Sequence, residues 1–304
     1  MHINFRTYRT IKQELVRLFA TRPSRHQEQH LTTLACFICG IVGSQHVQFA
    51  HVVQHMPVRG RKDESLIMRL RRWVNHADIS YDTFFLPVAQ AVVRHLAHTP
   101  ITMVLDGSTI GRGCMLLMAS IIYRKRAIPL VWLVVKGKKG HLAEQLHCTL
   151  IERLHQLIPS EAVVTVLGDG EFDGVALPSK IRAFKWHYVC RTALNICITT
   201  NGSTFPIGAI DVRKGTVITV DDALFTHEHY GPLLVIAAWE EPYDAPIYLV
   251  TSLDDAEEAI RRYTLRCIIE TFFSDQKSRG FQIHKSHLSH PDRLARLLIA
   301  TSLS

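Results

Sequence analysis

Two apolar runs that each stop at an acid and a glycine most constrain what this chain can fold into. ITMVLDG spans 101–107 and EAVVTVLGDG spans 161–170. Both are rich in Val, Ile and Leu without polar alternation, which suits strands buried on both faces of a covered sheet. MLLMASIIY and AIPLVWLVV follow the first run, separated by Arg124-Lys125-Arg126. Links that short suit an antiparallel meander. HLAEQLHCTLIERLHQLI has helical period and is stopped by Pro159, so it suits a crossover that lays the second acid-ended strand beside the first. GVALPSKIRAF reads as a helix and WHYVCR as a short strand. The predicted order is three strands, helix, strand, helix, strand: an α/β mixed sheet with flanking helices.

Two other regions read differently. Residues 1–98 are helical, with apolar residues at helical spacing in IKQELVRLFA, LTTLACFICGIV, ESLIMRLRRWVNH and PVAQAVVRHLAH. Arg59, Arg61, Lys62, Arg69, Arg71 and Arg72 surround these helices. They form either a DNA-binding domain or a solvated basic face. Between 192 and 247 short β-runs such as VITV and LLVIAAW alternate with turn-forming NGST, RKG and HEHYGP, which reads as an all-β insertion. IYLVTSL then returns to a strand. A long helix, either continuous or broken before Arg261, is expected from about Asp254 or Ala256 to Arg279, and a last helix closes the chain. The predicted division is a helical domain 1–98, a catalytic domain 99–191 plus 248–304, and an insertion 192–247.

Charge narrows the partners. Lys and Arg number 35 against 27 Asp and Glu, a net charge of +8, which favours a polyanion, nucleic acid first. No apolar run reaches the roughly 18 residues of a membrane span, and the opening MHINFRTYRT lacks the apolar core of a signal peptide. A soluble cytoplasmic protein is expected. The seven cysteines are odd in number and scattered, as reduced thiols would be. Cys36-x-x-Cys39 lies in an apolar helix with no second ligand pair at metal-binding spacing, so core packing is the preferred reading.

Asp106 and Asp169 end their strands, and neighbouring strands would bring both to one sheet edge, where open α/β sheets bind ligands. Two carboxylates at apolar strand ends repel each other unless a cation lies between them, and hard oxygen donors favour Mg²⁺ or Mn²⁺. Alternatively, each Asp-Gly makes only a turn. A third acid comes from the late helix. At 100° per residue, Tyr263, Arg266, Glu270 and Lys277 lie within about 60° of one another. That stripe offers an acid for metal and three groups for phosphates, or else an exposed face with an Arg266–Glu270 pair. Ile268, Ile269, Phe272 and Phe273 crowd around it, so the helix is not simply solvated.

YTLRCIIETFFSDQK fits Y-x2-R-x3-E-x6-K without a gap, and LDGSTIGRG, LGDGEFDG, KGKKGH and IETFFSDQKSRGF accompany it. Over about residues 100–304 the chain thus resembles the IS4-family DDE transposases. The resemblance implies a ribonuclease H-like core, with Asp106, Asp169 and Glu270 as catalytic, metal-holding acids. Glu171 and Asp173 are nearby competitors, set aside because Asp169 ends the strand and fits the motif's first acid.

The resemblance further implies DNA transposition. Two Mg²⁺ ions, with Mn²⁺ able to substitute, would serve cutting at a transposon end and attack by the freed 3′-OH. Tyr263, Arg266 and Lys277 would grip double-stranded DNA. Lys139 and His141, with Lys136 and Lys138, would line its path or form a solvated turn. Trp239 would stack on an extruded base or pack in the core. The working assembly would be a homodimer in a synaptic complex. The family continues with more helix where this chain ends at Ser304, so a C-terminal truncation and a poorly supported last helix are expected. The competing functions are a ribonuclease H-like nuclease without strand transfer and an inactive DNA-binding remnant.

Overall fold

The computed structural model describes residues 2–19, 21–138 and 142–304. The helical opening is α1 (His2–Arg17), α2 (Arg25–Ser44), α3 (Phe49–Val53), α4 (Asp63–Asn75), α5 (Tyr81–Phe84) and α6 (Leu86–Leu96). A capping box starts α2. The Ser24 hydroxyl accepts from Gln27 N, and the Gln27 side chain accepts from Ser24 N, so two otherwise orphaned donors are satisfied. Leu31, Leu34, Phe37, Leu70, Trp73 and Phe84 fill the bundle core. Cys36 and Cys39 belong to that core, and burial pushes the Cys39 thiol up to about 11. These are packed, inert thiols.

The sheet begins with β1 (Ile101–Ile110), β2 (Cys114–Tyr123) and β3 (Arg126–Lys136), an antiparallel meander. Pro129 sits beside a register shift in β3, the outermost strand, where a missing backbone donor is tolerated. The helix α7 (Glu144–Leu157) crosses over to β4 (Val164–Gly168), which lies parallel to β1. Then α8 (Ala176–Ala183) leads to β5 (His187–Arg191), parallel to β4.

The runs expected as an all-β insertion are β6 (Cys197–Thr200), β7 (Ser203–Pro206), β8 (Val217–Phe225) and β9 (Tyr230–Ala238). They prolong the same sheet, because β10 (Ile247–Thr251) pairs with both β5 and β9. The full order is β3-β2-β1-β4-β5-β10-β9-β8-β6-β7.

After β10 come α9 (Ala256–Tyr263), a 3₁₀ turn over Thr264–Cys267, α10 (Ile268–Gln276) and α11 (Pro291–Ser302). The long helix expected here is therefore interrupted, at Thr264–Cys267 and not before Arg261. Thr264 Oγ1 bonds Arg261 O and Cys267 Sγ bonds Thr264 O; side chains that bond back to the preceding turn compete with regular helix.

The last helix is not poorly supported, contrary to expectation. Leu294, Leu297, Leu298 and Ile299 are fully buried, each burial worth about 1.5–3 kcal/mol. Arg296 donates to Ile79 O at 2.9 Å and Val74 O at 3.2 Å, so α11 ties the helical opening to the end of the chain. Tyr81 and Phe85 pack on Trp132 of β3. Among the described residues no helix is long and apolar enough to cross a membrane.

Candidate active site

The register of two parallel strands sets the two aspartates side by side. Val104 of β1 is opposite Leu167 of β4. Two residues further along the same register, Asp106 comes level with Asp169. Asp106 does not end its strand, as the sequence suggested. The β1–β2 pairing runs on past it, with Asp106 opposite Met118, because β2 is long enough to supply partners up to Ile110. Where β4 stops, Asp106 is left at the inner margin of the open edge, buried to 5% exposure.

Each aspartate has one oxygen fixed by backbone. Gly107 N donates to Asp106 Oδ1 at 2.7 Å, and Glu171 N donates to Asp169 Oδ1 at 3.0 Å. The other oxygens approach the same guanidinium. Arg266 Nη1 lies 3.7 Å from Asp106 Oδ2 and 3.9 Å from Asp169 Oδ2, while Nη2 bonds Glu270 Oε1. Three acids from β1, the end of β4 and α10 thus surround one cation. Burial works against the Arg266 charge, but Tyr263, Asp106, Glu270 and Asp169 outweigh it and hold its pKa above the ordinary value.

The 3₁₀ turn and its flanking helices present the stripe to this edge. Lys277 Nζ donates to Ser108 Oγ at 2.6 Å, two residues past Asp106. Tyr263 is half-buried, and burial pushes its hydroxyl up to about 12, with Arg266 and Arg191 opposing. Its O–H therefore stays a neutral donor at physiological pH.

Arg262, which the sequence reading passed over, seats α9 on the sheet. Its Nη1 donates to Thr102 Oγ1 at 3.3 Å and Thr165 Oγ1 at 3.0 Å, while Nε bonds Glu258. The two threonines face each other across β1 and β4. A signal existed: two polar residues inside apolar runs, whose buried hydroxyls need a partner.

Glu171, set aside earlier, lies against β1. A Cβ on Gly107 would come within 3.5 Å of Glu171 Oε2. Asp173 is a poorer candidate, since burial raises its pKa and disfavours the carboxylate.

The donor chemistry suits hard divalent cations. Several carboxylate oxygens converge where the chain has placed a positive charge. All three acids bracket that charge. Among the described residues, the one trio of potential ligands within 4.8 Å is His26, His30 and His76, far along the chain from these acids.

The remaining expected DNA contacts fall elsewhere. Lys139 and His141 lie outside the described residues. The Lys136 ammonium is bonded to Ser289 O. Trp239 follows β9, and its indole donates to Tyr243 O at 2.9 Å. The strand directions place it at the same edge of the sheet as Asp169, three strands away, or roughly 14 Å at the usual strand spacing. No ring contact or hydrogen bond joins it to the acids among the described residues. In the helical region Arg69 donates to Thr33 and Arg59 lies over Phe5.

A family model described as a transposase DDE domain matches residues 89–304. No curated protein matches the chain. Among solved structures, the cryo-EM structure of the piggyBac transposase synaptic complex with hairpin DNA is 13% identical, with a TM-score of 0.53, covering 98% of this chain and 73% of that one. That likeness shows the fold, a ribonuclease H-like mixed sheet. The catalytic domain of human endonuclease V is 14% identical with a TM-score of 0.30, covering 67% of this chain and 84% of that one, too low to bear on the fold.

Proposed function

The chain belongs to the transposase DDE domain family, and we propose that Asp106, Asp169 and Glu270 are the acids with which it cuts and joins DNA. Its function is DNA transposition, and it is a divalent-cation-dependent enzyme acting on DNA. One observation carries the residue assignment: acids from three elements, two of them in register on parallel strands, surround the same guanidinium.

The preferred ions are Mg²⁺, with Mn²⁺ as substitute; the three acids would hold them, and they would supply activation of the attacking oxygen and stabilisation of the leaving 3′ oxygen. The protein's own groups do the rest. Gly107 N and Glu171 N hold Oδ1 of each aspartate, while each Oδ2 faces Arg266 and the reaction centre. Arg262 fixes α9 and thereby the height of the Arg266–Glu270 turn above the sheet. Arg266 releases the acids when cations and DNA arrive and pairs instead with a phosphate, as a planar guanidinium does well. Lys277 and Tyr263 flank it as a cationic and a neutral phosphate donor. Trp239 stacks on a base displaced along the same sheet edge.

The chain is read as an IS4-type member, with a DNA-binding helical domain over 1–98, the catalytic domain over 99–191 and 248–304, and a β-rich insertion over 192–247. It works in the cytoplasm as a homodimer that pairs two transposon ends.

The test is joining of a pre-cut transposon end to target DNA in Mg²⁺. The chain should join the 3′ end, and Asp169→Ala should bind the end without joining it. Full joining by Asp169→Ala would overturn the assignment. End cleavage without joining would reduce the chain to a nuclease.

A further inference from the structure

A second cluster lies in the helical region, independent of the acids and of the function proposed for them. His26 and His30 are one turn apart on α2, and His76 caps the C-terminal end of α4. Their ring centroids are 4.4, 4.8 and 5.3 Å apart. Each offers a ring nitrogen, and these three atoms lie within 4.8 Å of one another. His30 Nε2 is buried and has no hydrogen-bond partner. An orphaned buried ring nitrogen in a well-packed protein calls for an explanation.

Asp78 supplies the supporting group. Its Oδ2 lies 3.9 Å from Nδ1 of both His26 and His76. A carboxylate behind imidazoles is the usual outer partner of metal-bound histidine, fixing the tautomer that leaves Nε2 free to coordinate. The Asp78 N–H donates to His76 Nδ1 at 3.3 Å; metal binding through Nε2 gives up this bond, since Nδ1 then carries the proton and donates to the carboxylate.

The scaffold is rigid. The capping box fixes the turn that carries His26, and the buried Trp73 indole donates to His30 O at 3.2 Å.

We propose that His26, His30 and His76 form a transition-metal site, with Zn²⁺ the best-matched ion, that clamps α2 to the α4–α5 turn. Three imidazoles favour zinc and its neighbours over Mg²⁺. Tetrahedral Zn–N bonds of about 2.0–2.1 Å put ligand nitrogens roughly 3.3 Å apart. The rings close from 4.8 Å by side-chain rotation alone, since His26 and His76 are partly exposed. Arg25, Arg69 and Arg72, offset in part by Glu28, line the same groove of about 740 Å³ as the three rings. Their field opposes a cation, so binding rests on coordination and not on long-range attraction. The same arginines make a phosphate-binding groove the competing reading.

The test uses the full chain carrying Asp106→Asn and Asp169→Asn, which silences the acid edge. Zn²⁺ is titrated against a chromophoric chelator, and Co²⁺ is followed by its tetrahedral absorption bands. One equivalent should bind, raising the unfolding midpoint until chelator is added. His30→Ala should remove the absorption bands, and Asp78→Asn should weaken binding by about 10–100-fold. Should His30→Ala fail to fold, His26→Ala, whose ring is largely exposed, provides the same readout. Absence of Zn²⁺ binding, or binding unchanged in His26→Ala, overturns the proposal. So does a chain that binds no Zn²⁺ but loses DNA affinity in His26→Ala, which assigns the rings to phosphates.

Discussion

At the acid edge three carboxylates close around a guanidinium that the chain itself provides. In the helical groove three imidazoles gather with the Asp78 carboxylate behind two of them, and three arginines and Glu28 line the same groove. The first site is partly neutralised by one side chain, a single positive charge among three acids. The second is held by packing and asks for a ligand that coordinates. The difference teaches how to tell an exchangeable charge site from a structural one. At the former the protein's own counter-ion must leave before chemistry starts, so occupancy is tied to substrate. At the latter nothing has to be displaced, so occupancy is tied to folding.

That contrast can be broken experimentally. The largest effect is expected from Glu270→Ala, which should cut transposon-end cleavage by about 10³-fold, the order seen on removing one preorganised charge-stabilising group. The fold should be unchanged, since Glu270 is the most exposed of the three acids. Gel analysis of a labelled end in Mg²⁺ reads this, and residual cutting near the parental rate would mean that Glu270 holds no metal.

Arg262→Met tests whether the acid edge also depends on packing. It leaves Glu258 and two strand threonines without their shared donor. Chemical denaturation should show a loss of about 2 kcal/mol, the range for hydrogen bonds to a charged group. A loss under about 0.5 kcal/mol, typical of surface substitutions, would mean that α9 is seated by its apolar contacts alone.

Arg266→Gln sharpens the exchange argument. Removing the resident charge should tighten Mn²⁺ binding by about tenfold, ~1.4 kcal/mol, while weakening end-DNA binding. Calorimetry on the two chains checks the sign, and weaker Mn²⁺ binding in the variant would contradict it. The smallest effect belongs to Lys277→Ala, which should lower the salt dependence of DNA binding by about one phosphate contact. An unchanged slope would leave Lys277 a structural partner of Ser108 only.

The acid edge was largely legible in the sequence because its parts are local. Each aspartate closes a strand-like run, and the Tyr263–Lys277 stripe lies within fifteen consecutive residues. What joins the parts is non-local and was not legible. The Thr102–Thr165–Arg262 bridge depends on strand register across more than sixty residues. Arg266 reads as a phosphate ligand in sequence and proves to be the hub of the acids, because the 3₁₀ turn carries it over the sheet edge. The β6–β9 runs resemble a separate insert, since turn residues separate them; only the shared partner strand β10 shows that they extend one sheet. The histidine cluster was invisible for a related reason. His26 and His30 are spaced as helix neighbours, but His76 joins them through the packing of α4 on α2.

The most direct test of the central claim is anomalous diffraction from crystals of the chain with a transposon-end duplex and Mn²⁺. The account predicts Mn²⁺ peaks within coordination distance of Asp106, Asp169 and Glu270, with the Arg266 guanidinium moved onto a phosphate. Peaks centred on Glu171 and Asp173 instead, or Arg266 still lodged among the three acids beside bound DNA and metal, would contradict it.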